Sequence, residues 1–239
     1  MSIYIVCHNE EVMIPHTIKH YRDRFPTAKI FIYDNYSSDG SVALAKNLGC
    51  EVIMWEYNVN TFEHDLTNLK NNIWKKSSGW VIVCDMDEWL CINEEQLKEE
   101  ESKGTTMLTT EGYNIIADSK SEKLDDINLE LLTRGYYYAL ETKKLCFDSR
   151  AIKEITYLPG AHFCRPVGNI VLSGPKYYIK HMDNLGLPYK WKKMLLRFER
   201  TSEMRKYGMA VHYHTDYNRL KTDHKNMQDI SRELPFLKN

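Results

Sequence analysis

The sequence predicts an α/β fold with a mostly parallel sheet, on three observations. Short apolar runs alternate with helix-length amphipathic segments through about the first 90 residues. Each of the clearest runs ends on a polar cluster. The chain, 239 residues at 43% hydrophobic and 27% charged, has the composition of an ordinary globular protein. Alternation of this kind implies βαβ units, whose strands are buried on both faces and so read as continuous apolar runs. In such sheets, ligands bind beyond the carboxyl ends of the strands.

Ile3-Tyr4-Ile5-Val6-Cys7 is the first run, followed by the turn His8-Asn9-Glu10-Glu11 and a helix to about Arg24, stopped by Pro26. Ile30-Phe31-Ile32-Tyr33 comes next and ends on Asp34. Residues 41–48 read as a helix, with Gly49 where a left-handed backbone closes a helix cheaply. Val52-Ile53-Met54-Trp55 is the third strand, 63–76 a helix broken by Gly79, and Trp80-Val81-Ile82-Val83-Cys84 the fourth strand, which delivers Asp85. The polar clusters at 8–10, 34–39 and 85–88 should therefore converge on one crevice. Beyond Leu90 the pattern is mixed. A charged helix is expected over 93–103, strand-like pieces over 107–116, 136–147, 155–163 and 177–181, and a polar surface loop over 119–130. A long basic amphipathic helix is expected over 187–206 and a further helix over 217–233.

Charge and cysteine usage exclude several classes. Lys+Arg 32 against Asp+Glu 33 leaves a net charge of −1, without the basic excess of a nucleic-acid binder. The six cysteines form no C-x-x-C pair, which argues against a zinc ribbon or a thioredoxin-type motif. Cys7, Cys50 and Cys84 lie in or beside apolar runs, as buried thiols do in a reducing compartment. No run approaches the roughly 18 apolar residues of a membrane span. Met1 leads directly into a strand, so a cytoplasmic protein is expected.

Asp85-Met86-Asp87-Glu88 is the most informative segment. A strand ending in D-x-D puts two carboxylates in a crevice, where they repel unless a cation or protons compensate. Mg²⁺ or Mn²⁺ does this by sharing carboxylates with substrate phosphates. Helix capping accounts for one acid, not for three in four residues. Asp34, at the head of Asn35-Tyr36-Ser37-Ser38-Asp39-Gly40-Ser41, suits either an Asx turn or acceptance of a hydrogen bond from uracil or ribose. Among the histidines, His16 and His20 read as a solvated helix face. His212-Tyr213-His214 would set both rings on one face of a strand. His162 and His181 suit either a metal shell, a diphosphate contact or a structural role. Lys70, Lys143, Lys144, Arg150 and Arg165 are either phosphate partners or surface charges.

Taken together, Cys7-His8-Asn9-Glu10-Glu11, the 34–41 loop and Asp85-Met86-Asp87-Glu88-Trp89-Leu90 resemble three ordered motifs of GT-A glycosyltransferases. The likeness is to family-2-like members, whose motifs read N-E-E, D-N-x-S-x-D-x-S and D-x-D-E-F-L, with Trp89 here in place of Phe. Lys143-Lys144, Gly160-Ala161-His162 and Lys180-His181 resemble that group's downstream positions more loosely. The resemblance implies one GT-A domain over 1–239, with a Rossmann-like nucleotide-sugar-binding half at 1–92 and a mixed acceptor half with C-terminal helices at 93–239. It implies a nucleotide-sugar donor (UDP preferred), Mn²⁺ or Mg²⁺, a glycan or other hydroxyl acceptor, and inversion at the anomeric carbon. The nucleotide would meet Cys7, His8, Asn9, Glu10, Asp34, Asn35, Lys70, Asp85 and Met86, and the metal Asp85, Asp87, His181 and His162. No downstream Glu-Asp pair marks the catalytic base, which leaves Asp183 and Glu111 as candidates. Two rival readings are a haloacid-dehalogenase-like phosphatase, whose first strand also ends in D-x-D with an Asp nucleophile, and a nucleotide-sugar-binding module without catalysis. Against the phosphatase, the D-x-D lies on the fourth strand and Asp125-Asp126 precedes the lysines.

Overall fold

The computed structural model describes residues 1–56, 62–206, 208, 210–211 and 213–238. The chain opens with β1 (Ser2–Cys7), α1 (Ile14–Arg24), β2 (Lys29–Asp34), α2 (Ser41–Asn47), β3 (Glu51–Met54), α3 (Phe62–Asn72) and β4 (Trp80–Asp85). Then come β5 (Glu88–Cys91), α4 (Glu94–Ser102), β6 (Met107–Ile116), β7 (Arg134–Tyr137), β8 (Cys146–Asp148), β9 (Ile152–Glu154), β10 (Val167–Gly168) and β11 (Leu172–Asn184). It closes with α5 (Leu187–Arg200), α6 (Ser202–Lys206), α7 (Tyr217–Ile230) and β12 (Arg232–Glu233).

The expected α/β class holds. The main sheet runs β12-β7-β6-β8-β4-β1-β2-β3, with β3, β2, β1 and β4 parallel and β8, β6 and β7 antiparallel to their neighbours. β11 pairs parallel with β6 and antiparallel with β5, which ties the second part of the chain to the D-x-D strand. Register aligns the site. Cys7 lies beside Asp34, Val6 beside Asp85, and His181 beside both Asn114 and Glu88.

The apolar runs do what their composition demands: Ile3, Ile5, Ile32, Val81, Ile82 and Cys84 are buried, most of them completely. Gly49 takes the left-handed φ of +73° that closes α2. Asn93 and Gln96 form a capping box on α4.

Several local expectations are corrected. The helix expected over 63–76 ends at Asn72, and that over 187–206 is two helices separated at Thr201. The strand-like stretch 136–147 is β7 and β8 with a 3₁₀ turn, Ala139–Glu141, between them. That turn presses so closely on β6 that a Cβ at Gly112 would fall on the main chain of Glu141. Residues 155–163 hold one isolated bridge, Tyr157 to Cys164, and a 3₁₀ turn. Tyr213 and His214 lie outside any strand, and His212 lies outside the described residues. His20 is not solvated. It is fully buried, stacked on Trp89 at 4.6 Å, with Nε2 bonded to the Leu90 carbonyl at 3.1 Å. Among the described residues, no helix is long and apolar enough to cross a membrane.

Candidate active site

The two loops leaving β1 and β2 are stitched together by side chains accepting backbone N–H groups. Asn9 donates to Ser37 Oγ at 2.8 Å, Glu10 to Ser41 Oγ at 2.8 Å, and Ser38 to Asn9 Oδ1 at 2.8 Å. Asp34 is fully buried and accepts from the Ser37 amide at 2.8 Å and its hydroxyl at 2.6 Å. Its observed work is therefore to hold the loop as an Asx turn. Asn35 donates to the Trp55 carbonyl at 3.0 Å, and its own carbonyl meets His8 Nδ1 at 2.8 Å. Asn9 and Tyr36 hold left-handed φ values of 53° and 50°, strain that this lattice of bonds sustains. Cys7 and Met86 differ from expectation. Their side chains are 1% and 2% exposed within the core, and the Met86 carbonyl is taken by Thr17.

The carboxylates of the D-x-D segment are met by cations from distant elements. Lys70 on α3 holds both oxygens of Asp85, at 2.7 and 2.8 Å. Glu88 accepts the Asp85 amide at 2.8 Å through one oxygen and pairs with Lys143 through the other. Asp87, 4% exposed, accepts from Lys193 at 2.8 Å and Arg197 at 3.1 Å, both on α5. Lys193 also reaches Glu10 at 3.2 Å, and Asp183 pairs with Lys190 and, at 3.1 Å, with Arg197. Burial alone would raise Asp87, but the cations Lys193 and Arg197 outweigh it and hold this carboxyl well below the usual range. Lys190, buried beside Arg197 and Lys193, is pushed well below the usual lysine range.

His181 closes the crevice from β11. Its Nδ1 lies 2.6 Å from Asn114 Oδ1, and an amide oxygen only accepts, so Nδ1 carries the proton and Nε2 the lone pair. Asn114 is fixed in turn by donating to the Tyr136 hydroxyl at 3.0 Å. Nε2 lies 3.8 Å from Asp87 Oδ2. Burial holds the imidazole below its ordinary value, against the pull of Glu141 and Asp87, which favours the neutral ring. Glu141 lies beyond the opposite edge, 3.6 Å from Nδ1 and 3.4 Å from Lys143. It is 6% exposed, and its Oε2 has no hydrogen-bond partner.

Two candidates fall elsewhere. Glu111 stands an odd number of residues from Asn114 along β6 and so faces the other side of the sheet, where it pairs with Lys176 and accepts from Tyr113. His162 bonds the Leu140 carbonyl at 2.6 Å, outside the Asp87–His181 pair. Asp183 is in the crevice, clamped by its two cations. Sequence reasoning passed over Glu141, Asn114, Lys190, Lys193 and Arg197. The i, i+3, i+7 spacing on α5 was the one signal for the last three.

Among the described residues, no group of three or more His, Cys, Asp or Glu side chains is arranged as a ready metal shell. The donor chemistry still fits a divalent cation in the Mg²⁺ or Mn²⁺ manner, with few protein ligands and the rest from phosphate and water. Asp87 supplies a carboxylate and His181 a lone pair fixed in direction by Asn114. Asp85, with both oxygens on Lys70, is a poorer ligand as it stands.

Comparison with known proteins bears on this geometry. Residues 2–94, which contain β1 to β5 and both loops, match the family described as Glycosyl transferase family 2. The chain is 33% identical over 52 residues to Protein RfbJ of Shigella flexneri, a match covering 22% of this chain and 40% of that protein. Of solved structures, S. aureus TarS 1–349 in complex with UDP is similar at 14% identity and a TM-score of 0.45, over 83% of this chain and 64% of that one. The S. aureus TarS structure is similar at 12% identity and a TM-score of 0.44, over 83% of this chain and 39% of that one. The chain thus spans less than two thirds of each of these relatives. Residues 2–94 thus match the glycosyl transferase family 2 model, and they carry the parallel part of an α/β framework.

Proposed function

We propose that the chain transfers a sugar from a nucleotide-diphosphate donor to an acceptor hydroxyl, with inversion at the anomeric carbon. The observation that carries this reading is the D-x-D at the end of buried β4, set beside the stitched 8–11 and 34–41 loops within the family 2 segment. Residues 1–92 form the donor half and 93–239 the acceptor half of one domain. The 8–10 turn and the Asp34 loop cradle the nucleoside, taken as uridine on the sequence resemblance. Asp87 and His181, with Asp85 adjoining, would hold Mn²⁺ or Mg²⁺, which when bound supplies Lewis-acid stabilisation of the departing nucleoside diphosphate. Lys70 and Lys143 hold Asp85 and Glu88 in place.

For the base, Glu141 is preferred over Asp183. A carboxylate clamped by two cations accepts a proton poorly, whereas Oε2 of Glu141 accepts no hydrogen bond and meets one cation, Lys143, at 3.4 Å. Glu141 takes the proton of the acceptor hydroxyl as that oxygen attacks the anomeric carbon. The reducing cytoplasm is the proposed compartment, since Cys7, Cys50, Cys84, Cys91, Cys146 and Cys164 are all free thiols.

Thermal unfolding with nucleoside diphosphates, with and without Mn²⁺, tests the reading. A ligand at a hundred times its dissociation constant adds about 2.7 kcal/mol, so UDP with Mn²⁺ should raise Tm clearly above either alone. No shift with any nucleoside diphosphate, with or without the metal, would refute the donor assignment.

A further inference from the structure

We propose that Lys193 and Arg197 are exchangeable counter-ions of Asp87 that pass to the donor diphosphate, so that this helix makes cation and nucleotide binding depend on one another. The inference rests on the donor reading above and adds residues and a binding logic to it.

Glu10, Asp87 and Asp183 face Lys190, Lys193 and Arg197 in one interlocked set of ion pairs. Lys193 and Arg197 share a single oxygen of Asp87, Oδ2, at 2.8 and 3.1 Å. That oxygen is also the one facing His181 Nε2. A divalent cation arriving alone would have to displace two positive side chains or sit against them. A diphosphate arriving alone would draw Lys193 and Arg197 off Asp87 and strand a buried carboxylate, which is costly.

Arrival of both resolves the conflict. The positive charge of the cation replaces the two side chains on Asp87, and the negative charge of the diphosphate receives them. Every buried charge keeps a partner and the total is unchanged. The arrangement suits such an exchange. Lys190 stays behind on Asp183. The Arg197 side chain is 30% exposed and so already reaches the rim, its guanidinium over the Tyr213 ring at 5.8 Å. Guanidinium and ammonium groups are also suited to phosphate oxygens. A cavity lined by Asn9, Glu10, Ser38, Asp39, Lys192 and Lys193 lies between this cluster and the 34–41 loop, which gives Lys193 somewhere to meet an anion.

The test compares wild type with Lys193→Met and Arg197→Met, using Mn²⁺ alone (free Mn²⁺ counted by electron paramagnetic resonance) and UDP in saturating Mn²⁺ (calorimetry). The expected changes have opposite signs. Each variant binds Mn²⁺ alone about five-fold or more tightly than wild type, because a competitor for Asp87 is gone. Each binds UDP about five-fold or more weakly, the lower end of ordinary coupling between sites. Lys193→Arg, which keeps the charge, should change both affinities less than Lys193→Met does. Arg197→Met, at the more exposed position, guards against misfolding of the Lys193 variant. If wild type binds UDP and Mn²⁺ but both variants lose both affinities or change neither, the exchange is wrong. Wild type binding no nucleoside diphosphate at all would instead remove the donor reading and this inference with it.

Discussion

Glu141→Gln is expected to lower kcat by about 10²–10⁴-fold, the usual share of general base catalysis, while the dissociation constant of UDP in Mn²⁺ stays within about two-fold. Glutamine keeps the length of the side chain, and the turn that carries it is held by main-chain and Thr142 bonds to β6, not by the carboxylate. The buried Oε2 has no hydrogen bond to lose, only its ion pair with Lys143 at 3.4 Å. Steady-state kinetics beside calorimetry separate this role from a supporting one. A loss confined to Mn²⁺ affinity would make Glu141 a residue that positions His181, 3.6 Å away, and would return the base to Asp183.

Asp87→Asn should produce two losses of different origin. Cation-dependent nucleotide binding collapses because a charged ligand is gone. The protein is also destabilised, by about 3–5 kcal/mol if Lys193 and Arg197 are left buried without their partner, less whatever Glu10 and Asp183 recover. Urea denaturation reads the second loss. Adding Lys193→Met to Asp87→Asn should restore part of the stability and none of the binding. A double variant no more stable than Asp87→Asn would show that the pair is not coupled.

The same charges give stability an acid limb. Asp87 lies well below the ordinary carboxylate range, and Glu130 is lowered to about 2, where His20, Arg24 and Lys180 outweigh burial. A carboxylate depressed in the folded state binds fewer protons there than in the unfolded chain. Its contribution is therefore complete above the unfolded value, 4.5 for Glu130, and is lost as pH falls toward about 2. Urea midpoints that hold steady from neutrality to about pH 5 and then fall are the expected record. Midpoints flat through the acid range would deny these pairs their role.

What was legible in the sequence follows from how local each cause is. β1 and β4 are apolar runs buried on both faces and β2 an apolar run with one face half-buried, and composition reveals all three. The D-x-D and Asp34 loops follow because strand ends deliver them. The counter-charges were not legible. Lys193 meets Asp87 across 106 positions, and on paper the basic side of α5 reads as a solvated face. Glu141 was hidden for another reason. The apolar stretch around it reads as one strand, and the turn that lifts it inward depends on room left by Gly112. Glu111 was chosen as a carboxylate without regard to strand alternation, which turns it to the face of β6 opposite Asn114, where it meets Lys176. His20 was judged by its helix alone, without the Trp89 ring that covers it.

Gly112 carries a consequence for how the two sides of the 3₁₀ turn Ala139–Glu141 are geared together. The turn sits on β6 only because nothing projects from position 112, and it is bolted there by the Tyr138 amide and the Thr142 hydroxyl. On its inner side it presents Glu141 to His181, while on its outer side it displays Tyr138 and Leu140, 40% and 38% exposed. With three residues between two bolts, the turn joins this outer surface to the Glu141 carboxylate by a short, doubly anchored piece of chain, so the two faces are placed by the same contacts with β6.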